Sequence, residues 1–231
     1  MHMTELYLQT SHLAAQQVFY TTTLGLPLVE ETDDSFMVQA GQTRLAFHGT
    51  MQEGTRYHFA FTIPGNAWTQ AREWLAPRVP LLTRDGQNIF FIDIWNAHSM
   101  YFHDAARNLV EFIAHHELPE ETSGPFGVQD IVRLSEIGLA VDDDVSEMVD
   151  TLHSWLSLDP YKGFSHHEFT AVGDIYGLFI VVQTGRIWFP TESEPAAVAP
   201  VHVKVKGAHQ QHYHVTQFPY DITVVASIDA N

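Results

Sequence analysis

The sequence contains no cysteine. Disulfide bonds therefore cannot stabilise the fold, and any metal ligands must be histidine or carboxylate side chains, because no thiolate is present. The N-terminal residues show no basic segment followed by an apolar run, so we expect no secretory signal. Both observations suit a cytoplasmic protein.

Positive charge is also scarce, with 11 lysine and arginine residues against 28 aspartate and glutamate residues and a formal net charge of −17. Nucleic acids and anionic membranes select basic surfaces, so we expect neither as a partner. No apolar run approaches the roughly 20 residues that a membrane-spanning helix needs. With 231 residues, of which 45% are hydrophobic, the chain is long enough for one large globular domain or two small ones.

The chain repeats one order of secondary structure, a strand and a helix followed by further strands. The first unit is predicted at residues 5–10, 13–23, 28–31, 35–40 and 43–48. The second unit is predicted at residues 57–63, 66–76, 79–82, 88–95, 99–103 and 108–115. We expect these two units to form one curved sheet with both helices on its convex side.

The second half of the chain looks like a degenerate copy of the first. A third unit is predicted at residues 136–141, 145–156, 168–172 and 178–183. A fourth unit has strands at residues 201–206 and 222–227 but no helix. We therefore predict a complete two-unit domain at residues 1–117, a polar, Pro- and Gly-rich linker at 118–132, and a degenerate second domain at 133–231.

His58 and Glu111 each interrupt a strongly apolar strand. Side chains alternate between the two faces of a strand, so His58 shares a face with Ala60, and Glu111 shares one with Ile113. An unpaired ionised group is costly in such surroundings. A divalent cation bound between the two strands would explain both residues at once.

Three motifs, in this order along the chain, resemble those of the vicinal oxygen chelate superfamily. Phe19 and Tyr20 precede Leu24-Gly25-Leu26 at the end of the first helix, residues 57–61 resemble the family's GHIAF strand, and residues 104–112 resemble its DPDGNxVE strand. This superfamily includes glyoxalase I, extradiol ring-cleaving dioxygenases, fosfomycin-resistance proteins and bleomycin-resistance proteins. The resemblance implies an α+β fold in which tandem βαβββ modules form curved mixed sheets around a cleft.

The resemblance also implies a set of metal ligands, taken from the first and last strand of each module. By position these are His58, Glu111 and Glu5, with His48 as the poorest match. The metal would be a divalent ion such as Zn, Ni, Mn or Fe(II). Glu136 occupies the equivalent first-strand position in the third unit, but the incomplete unit that would partner it supplies no matching histidine, so we interpret the second half as structural.

Three functions remain open. A glyoxalase- or lyase-like enzyme would act on a small substrate with adjacent oxygens, and Glu111 or Glu5 would move the proton. A catechol-type extradiol dioxygenase would instead need an acid-base histidine, either His115 or His98. A metal-free binding protein of the antibiotic-resistance type would need only an apolar, aromatic cleft.

The glyoxalase-like reading is favoured because Glu5 stands where a site with two histidines would want imidazole. The resemblance implies a small-molecule substrate and is compatible with a homodimer. The residues predicted to line the cleft and bind the substrate are Trp95, Asn96, His98 and Tyr101.

Overall fold

The repeated order of strands and helices is present in the computed structural model, which describes residues 1–142 and 144–226. The first unit consists of β1 (Met3–Thr10), α1 (Leu13–Val18), β2 (Leu28–Glu31), β3 (Ser35–Ala40) and β4 (Thr43–Gly49). After α1 the helical path continues as a π-helical turn, Phe19–Thr23, so the predicted helical segment at 13–23 is confirmed. Gly25, with a φ of +77°, follows the end of this segment.

The second unit consists of β5 (His58–Thr62), α2 (Trp68–Leu75), β6 (Phe90–Ile92), β7 (Ala97–His103) and β8 (Leu109–His115). The strand predicted at 79–82 is wrong, because Leu81 makes only an isolated bridge to Phe102. Pro80 has no N–H to contribute to a strand ladder there. The strand predicted at 88–95 is shorter than expected, because Asp93–Trp95 forms a 3₁₀ turn.

The second half contains β9 (Arg133–Val141), α3 (Ser146–Leu156), β10 (Phe169–Asp174), β11 (Gly177–Gln183), β12 (Val201–Gly207), β13 (Gln211–Val215) and β14 (Tyr220–Ala226). The fourth unit lacks a helix in the part of the chain that the structure describes, as predicted. Ser227, which ends the strand predicted at 222–227, lies outside the described residues. No helix within the described ranges is long and apolar enough to cross a membrane.

The strands form two mixed seven-stranded sheets. The first sheet has the order β13-β14-β12-β1-β4-β3-β2, and the second has the order β10-β11-β9-β5-β8-β7-β6. The fold class predicted from the resemblance, with βαβββ modules in curved mixed sheets, is therefore confirmed.

The expectation that units one and two share a sheet is wrong. β1 pairs with β12 of unit four, with Leu6 opposite Val203, and β5 pairs with β9 of unit three, with Phe59 opposite Ile137. Each sheet therefore takes strands from both sides of the predicted linker at 118–132. The division into domains at residues 1–117 and 133–231 stays a prediction.

The two faces of the second sheet have different surroundings. Phe59 and Phe61 of β5 belong to the main hydrophobic core, which also contains Leu75 of α2. Ala60 of β5 and Ile113 of β8 belong to a smaller apolar cluster on the opposite face. Because side chains alternate along a strand, His58 lies on the face of Ala60, away from the helices.

A buried carboxylate ties the first unit to the second. Asp104, in the turn after β7, accepts hydrogen bonds from Gln16 Nε2 at 2.7 Å, Tyr20 O–H at 2.8 Å and Asn108 Nδ2 at 2.8 Å. Its other oxygen accepts from the backbone N–H groups of Ala106 and Asn108. Since Gln16 and Tyr20 belong to the first unit's helical segment, Asp104 joins elements associated with different sheets.

Replacing this carboxylate should destabilise the whole fold. We expect Asp104→Ala to lower the free energy of unfolding by about 2–4 kcal/mol, because several buried donors lose their charged acceptor. Asp33→Ala, at an exposed position, is the matched control and should change stability by less than about 0.5 kcal/mol. Urea denaturation measures both, and equal effects of the two substitutions would contradict the structural role of Asp104.

Candidate metal centre

The centre of the second sheet places two glutamates on either side of a small residue. Ala60 of β5 lies opposite Glu111 of β8 on one side and opposite Glu136 of β9 on the other. His58 lies two residues before Ala60 on the same strand face. The methyl side chain of Ala60 leaves room above the sheet for the three larger polar side chains to approach one another.

The three polar side chains converge. His58 Nε2 lies 3.6 Å from Glu111 Oε2, and His58, Glu111 and Glu136 each offer a ligand atom within 4.8 Å of the others. All three residues are buried, with exposed fractions of 6%, 2% and 1%. The described residues contain one other group of this kind, His166, His167 and Glu168, but both of its histidines are exposed.

The imidazole of His58 has a defined orientation. Its Nδ1 lies 3.1 Å from the carbonyl oxygen of Leu109, which can only accept, so Nδ1–H is the donor. The neutral ring therefore presents the lone pair of Nε2 towards Glu111. The indole of Trp188 packs 4.6 Å from the imidazole, measured between ring centroids. This is the arrangement in which a histidine is ready to bind a metal through Nε2.

Burial shifts the protonation equilibria of all three groups. Burial, and then the charge of Glu136, raises the pKa of the Glu111 carboxyl well above its usual range. Burial also raises the pKa of Glu136 to about 8 and lowers that of His58 to about 4. At neutral pH the metal-free site therefore favours a neutral imidazole and protonated carboxyls.

The donor set fits a divalent cation. Oε1 of Glu111 and Oε1 of Glu136 are buried and have no hydrogen-bond partner among the described residues. Such orphaned acceptors are costly in a protein interior, and a cation satisfies them while compensating the two negative charges. One imidazole and two carboxylates are ordinary ligands for divalent transition metals.

An apolar cavity of about 380 Å³ opens above this group. Aromatic and aliphatic side chains form most of its wall, and His58, Glu111, Glu136 and Arg186 add its ionisable groups. The lining residues are His58, Ile92, Ile94, Trp95, Tyr101, Glu111, Glu136, Phe164, Phe169, Ile180, Arg186, Trp188 and Phe189. A cavity of this size suits a small-molecule ligand.

Two of the four residues predicted to bind substrate line this cavity, namely Trp95 and Tyr101. Asn96 is exposed at the end of the 3₁₀ turn, in a left-handed conformation with a φ of 47°. The His98 ring stacks on that of Trp68 with 4.1 Å between the ring centroids, and its Nδ1 is hydrogen-bonded to His116 Nε2 at 2.7 Å. Neither Asn96 nor His98 lines the cavity. His98 and Tyr101 are three positions apart on β7, so alternation places them on opposite faces of the strand.

His115 lies on the strand face of Glu111 but four residues further along β8. It is buried, and its ring packs near those of Trp95 and Tyr161, each with a centroid separation of 6.4 Å. Burial lowers the pKa of His115 to about 4. His115 does not line the cavity, so the structure does not place it as an acid-base residue for a ligand bound there.

Glu5 and His48 belong to the first sheet and lie outside the group formed by His58, Glu111 and Glu136. Glu5 pairs with Lys204 Nζ at 2.8 Å and with Arg44 at 3.8 Å. The expected four-residue ligand set is therefore not one site, because β1 pairs with β12 instead of contributing to the sheet of β5.

Glu136 is the residue that sequence reasoning placed at a ligand-equivalent position but then assigned to a structural half. The pairing of β5 with β9 brings it next to Glu111. The available signal was its alignment with His58 and Glu5 at the start of each unit. Ile180, Arg186 and Trp188 of the second half also line the cavity, so that half contributes to the site.

Removing one carboxylate should change how stability depends on pH in the metal-free protein. Because the folded-state pKa of Glu136 is raised to about 8, the folded state holds a proton that the unfolded state releases near its ordinary pKa. Stability should therefore fall as pH rises from about 5 to 8.

We expect Glu136→Gln to flatten this fall, with a gain of at least about 1 kcal/mol at pH 8 relative to pH 5, since one pKa unit corresponds to about 1.4 kcal/mol. Glu31→Gln, at an exposed position, should follow the wild-type profile. Urea denaturation after chelation at several pH values tests this. If stability depends on pH in the same way in Glu136→Gln as in the wild type, the role of Glu136 in this pH dependence is contradicted.

Neither a protein-family model nor a curated protein matches the sequence. Among solved structures, a Bacillus subtilis protein assigned provisionally as a dioxygenase is 15% identical, with a TM-score of 0.61 over 97% of this chain and 85% of that one. A V278E mutant of glyoxalase I from Zea mays is 12% identical, with a TM-score of 0.58 over 97% of this chain and 92% of that one. At these identities the likeness shows the fold alone. The chain therefore has a fold similar to that of glyoxalase I, as the resemblance predicts.

Proposed function

We propose that this chain is a divalent-metal-dependent enzyme of the vicinal oxygen chelate superfamily that acts on a small substrate with two adjacent oxygens, as an isomerase or lyase of the glyoxalase type. The observation that carries the proposal is the convergence of His58, Glu111 and Glu136 at the apolar cavity, with two carboxylate oxygens unsatisfied. The similarity of the whole fold to glyoxalase I supports it.

His58 Nε2 and the carboxylates of Glu111 and Glu136 would hold the metal. Zn, Ni, Mn and Fe(II) are all compatible with one imidazole and two carboxylates. When bound, such an ion polarises substrate oxygens and stabilises the negative charge that develops on them during enolisation. The Leu109 carbonyl keeps His58 in the tautomer that this role needs.

The chain's own residues supply the remaining parts of the reaction. Trp95 and Trp188 form apolar walls, which exclude water from the reacting atoms. Burial, and then the charge of Glu111, raises the pKa of Tyr101 well above its usual range, so its hydroxyl stays protonated and can donate a hydrogen bond. Glu111 and Glu136 border the same cavity, so one of them can hold the proton that isomerisation moves between adjacent carbons.

The donor set favours isomerisation over ring cleavage. Non-haem Fe(II) oxygenases use two histidines and one carboxylate, whereas this group has one histidine and two carboxylates. Ring cleavage remains the second candidate, because the Bacillus subtilis protein with a similar fold is provisionally assigned as a dioxygenase.

A small-molecule substrate is part of the proposal. The cytoplasmic location, the homodimer and the lack of nucleic-acid or membrane binding stay predictions.

Metal content tests the ligand assignment. Protein purified without an affinity tag and then loaded with Zn(II) or Mn(II) should retain about one ion per chain after dialysis. His58→Ala should abolish this retention, because the site loses its imidazole ligand. His48→Ala is the matched control and should leave the stoichiometry unchanged, since His48 lies on the first sheet. Loss of metal in His48→Ala, or full occupancy in His58→Ala, would contradict the assignment.

Activity assays separate the reaction classes. We expect metal-dependent isomerisation of a hemithioacetal formed with one of several thiols, and a fall of about 100-fold or more in kcat/KM for Glu136→Gln. Oxygen uptake with catechols after anaerobic loading with Fe(II) is the parallel assay. Rapid ring cleavage would favour the dioxygenase instead. Silence in both assays, with no metal in the purified protein, would favour a metal-free binding protein.

A further inference from the structure

We propose that the substrate carries a carboxylate on a small, flat, apolar body, and that Arg186 binds this carboxylate while the adjacent oxygens reach the metal centre. The inference rests on the proposed function, because it assumes that the cavity above His58, Glu111 and Glu136 is the substrate site.

The apolar character of the proposed substrate is inferred from the side chains that form the cavity wall. The wall is built largely from aromatic and branched aliphatic side chains, and apolar side chains are exposed at its rim. Ile94, Phe164 and Phe189 line the cavity and have exposed fractions of 48%, 46% and 39%. Large apolar side chains exposed together around a concave site are typical of a surface that binds an apolar ligand. A highly polar ligand such as a peptide conjugate would leave its hydrogen-bonding groups unpaired against this wall.

The carboxylate of the proposed substrate is inferred from the position of the Arg186 guanidinium. Arg186 is the only lining residue with a permanent positive charge, and no acidic side chain in the described ranges lies within 4.0 Å of it. Its guanidinium carbon lies 4.9 Å from the centroid of the Phe169 ring. Stacking on an aromatic face orients the planar group and leaves its N–H edges available to a carboxylate.

The backbone around Arg186 is held in place. Its carbonyl accepts a hydrogen bond from Ala196 N–H at 2.8 Å, and the neighbouring Gly185 N–H donates to the carbonyl of Ala196 at 2.8 Å. Ile187 forms a bridge with Pro195. These contacts fix the backbone at Arg186, which limits the conformational entropy that would be lost when the side chain binds an anion.

The overall charge of the chain makes this arginine informative. A protein with a net charge of −17 repels anions at long range, so recognition of an anion must come from a local cation. The two carboxylates of the metal centre offset the charge of a divalent ion. The guanidinium of Arg186 is then the remaining positive charge at the cavity, and a substrate carboxylate is its complement.

Binding of three matched probes to the Zn(II)-loaded protein tests the inference. Catechol carries two adjacent oxygens, 3,4-dihydroxybenzamide adds a neutral group, and 3,4-dihydroxybenzoate carries a carboxylate of nearly the same shape. Zinc is chosen because it does not activate oxygen. Isothermal titration calorimetry should show that the wild type binds the benzoate about tenfold or more tightly than the benzamide, as expected for a charge-assisted pair.

Arg186→Gln should remove this preference while leaving the affinity for the benzamide within about twofold. The retained affinity for the benzamide also reports that the variant is folded. Arg84→Gln is the matched control, because the Arg84 guanidinium lies over the Phe189 ring at 5.5 Å but Arg84 does not line the cavity. It should keep the wild-type preference.

Equal affinities of the wild type for the benzoate and the benzamide would overturn the role of Arg186. A preference that persists in Arg186→Gln would overturn it as well. In both cases binding of the neutral probes would leave the proposed function standing. If none of the three probes binds the zinc-loaded protein, the inference is overturned. Retention of about one zinc ion per chain by the wild type, and its loss in His58→Ala, would then leave the proposed function standing.

Discussion

The burial of two carboxylates beside each other, on the apolar face of a sheet, is the constraint on which the site depends. Glu111 and Glu136 flank Ala60 and reach the same space, and each has an oxygen without a hydrogen-bond partner among the described residues. Two ionised carboxyl groups cannot coexist there without a compensating positive charge. The site must therefore hold protons or a cation, and the lone pair of His58 Nε2 favours the cation.

The first sheet shows how the same topology behaves with a different charge balance. Tyr7 lies opposite Ala46 and His202, as Ala60 lies opposite Glu111 and Glu136. A bulky phenol thus occupies the position of the small Ala60. Glu5, which corresponds to His58, is compensated by the ammonium group of Lys204 at 2.8 Å. A side-chain cation thereby supplies in the first sheet the charge that we assign to a metal ion in the second.

The strand patterns were sufficient to predict much of the fold and part of the site. Alternation places His58 on the strand face of Ala60 and Glu111 on that of Ile113, and the two side chains do approach each other at 3.6 Å. Local patterns say little about which strand edges pair, because β5 exposes the same apolar face whether β1 or β9 lies beside it. Because the pairing of β5 with β9 cannot be predicted from these local patterns, the predicted site omits Glu136 and includes Glu5.

The cavity wall was harder to predict than the candidate ligands. Trp188 and Arg186 lie in the connection between β11 and β12, where no periodicity marks which side chains face a distant sheet. Their positions depend on long-range contacts, such as the packing of Trp188 against the His58 imidazole at 4.6 Å. His98 was predicted to bind substrate, but its position on β7 places it on the face opposite to that of Tyr101. Its ring there stacks on Trp68.

An anomalous difference map from a crystal grown with Mn(II) tests the central claim most directly. We expect one strong peak per chain, within bonding distance of His58 Nε2 and of one oxygen from each of Glu111 and Glu136. A peak on the first sheet beside Glu5 or His48, or no peak at the three buried residues in a saturated crystal, would contradict it.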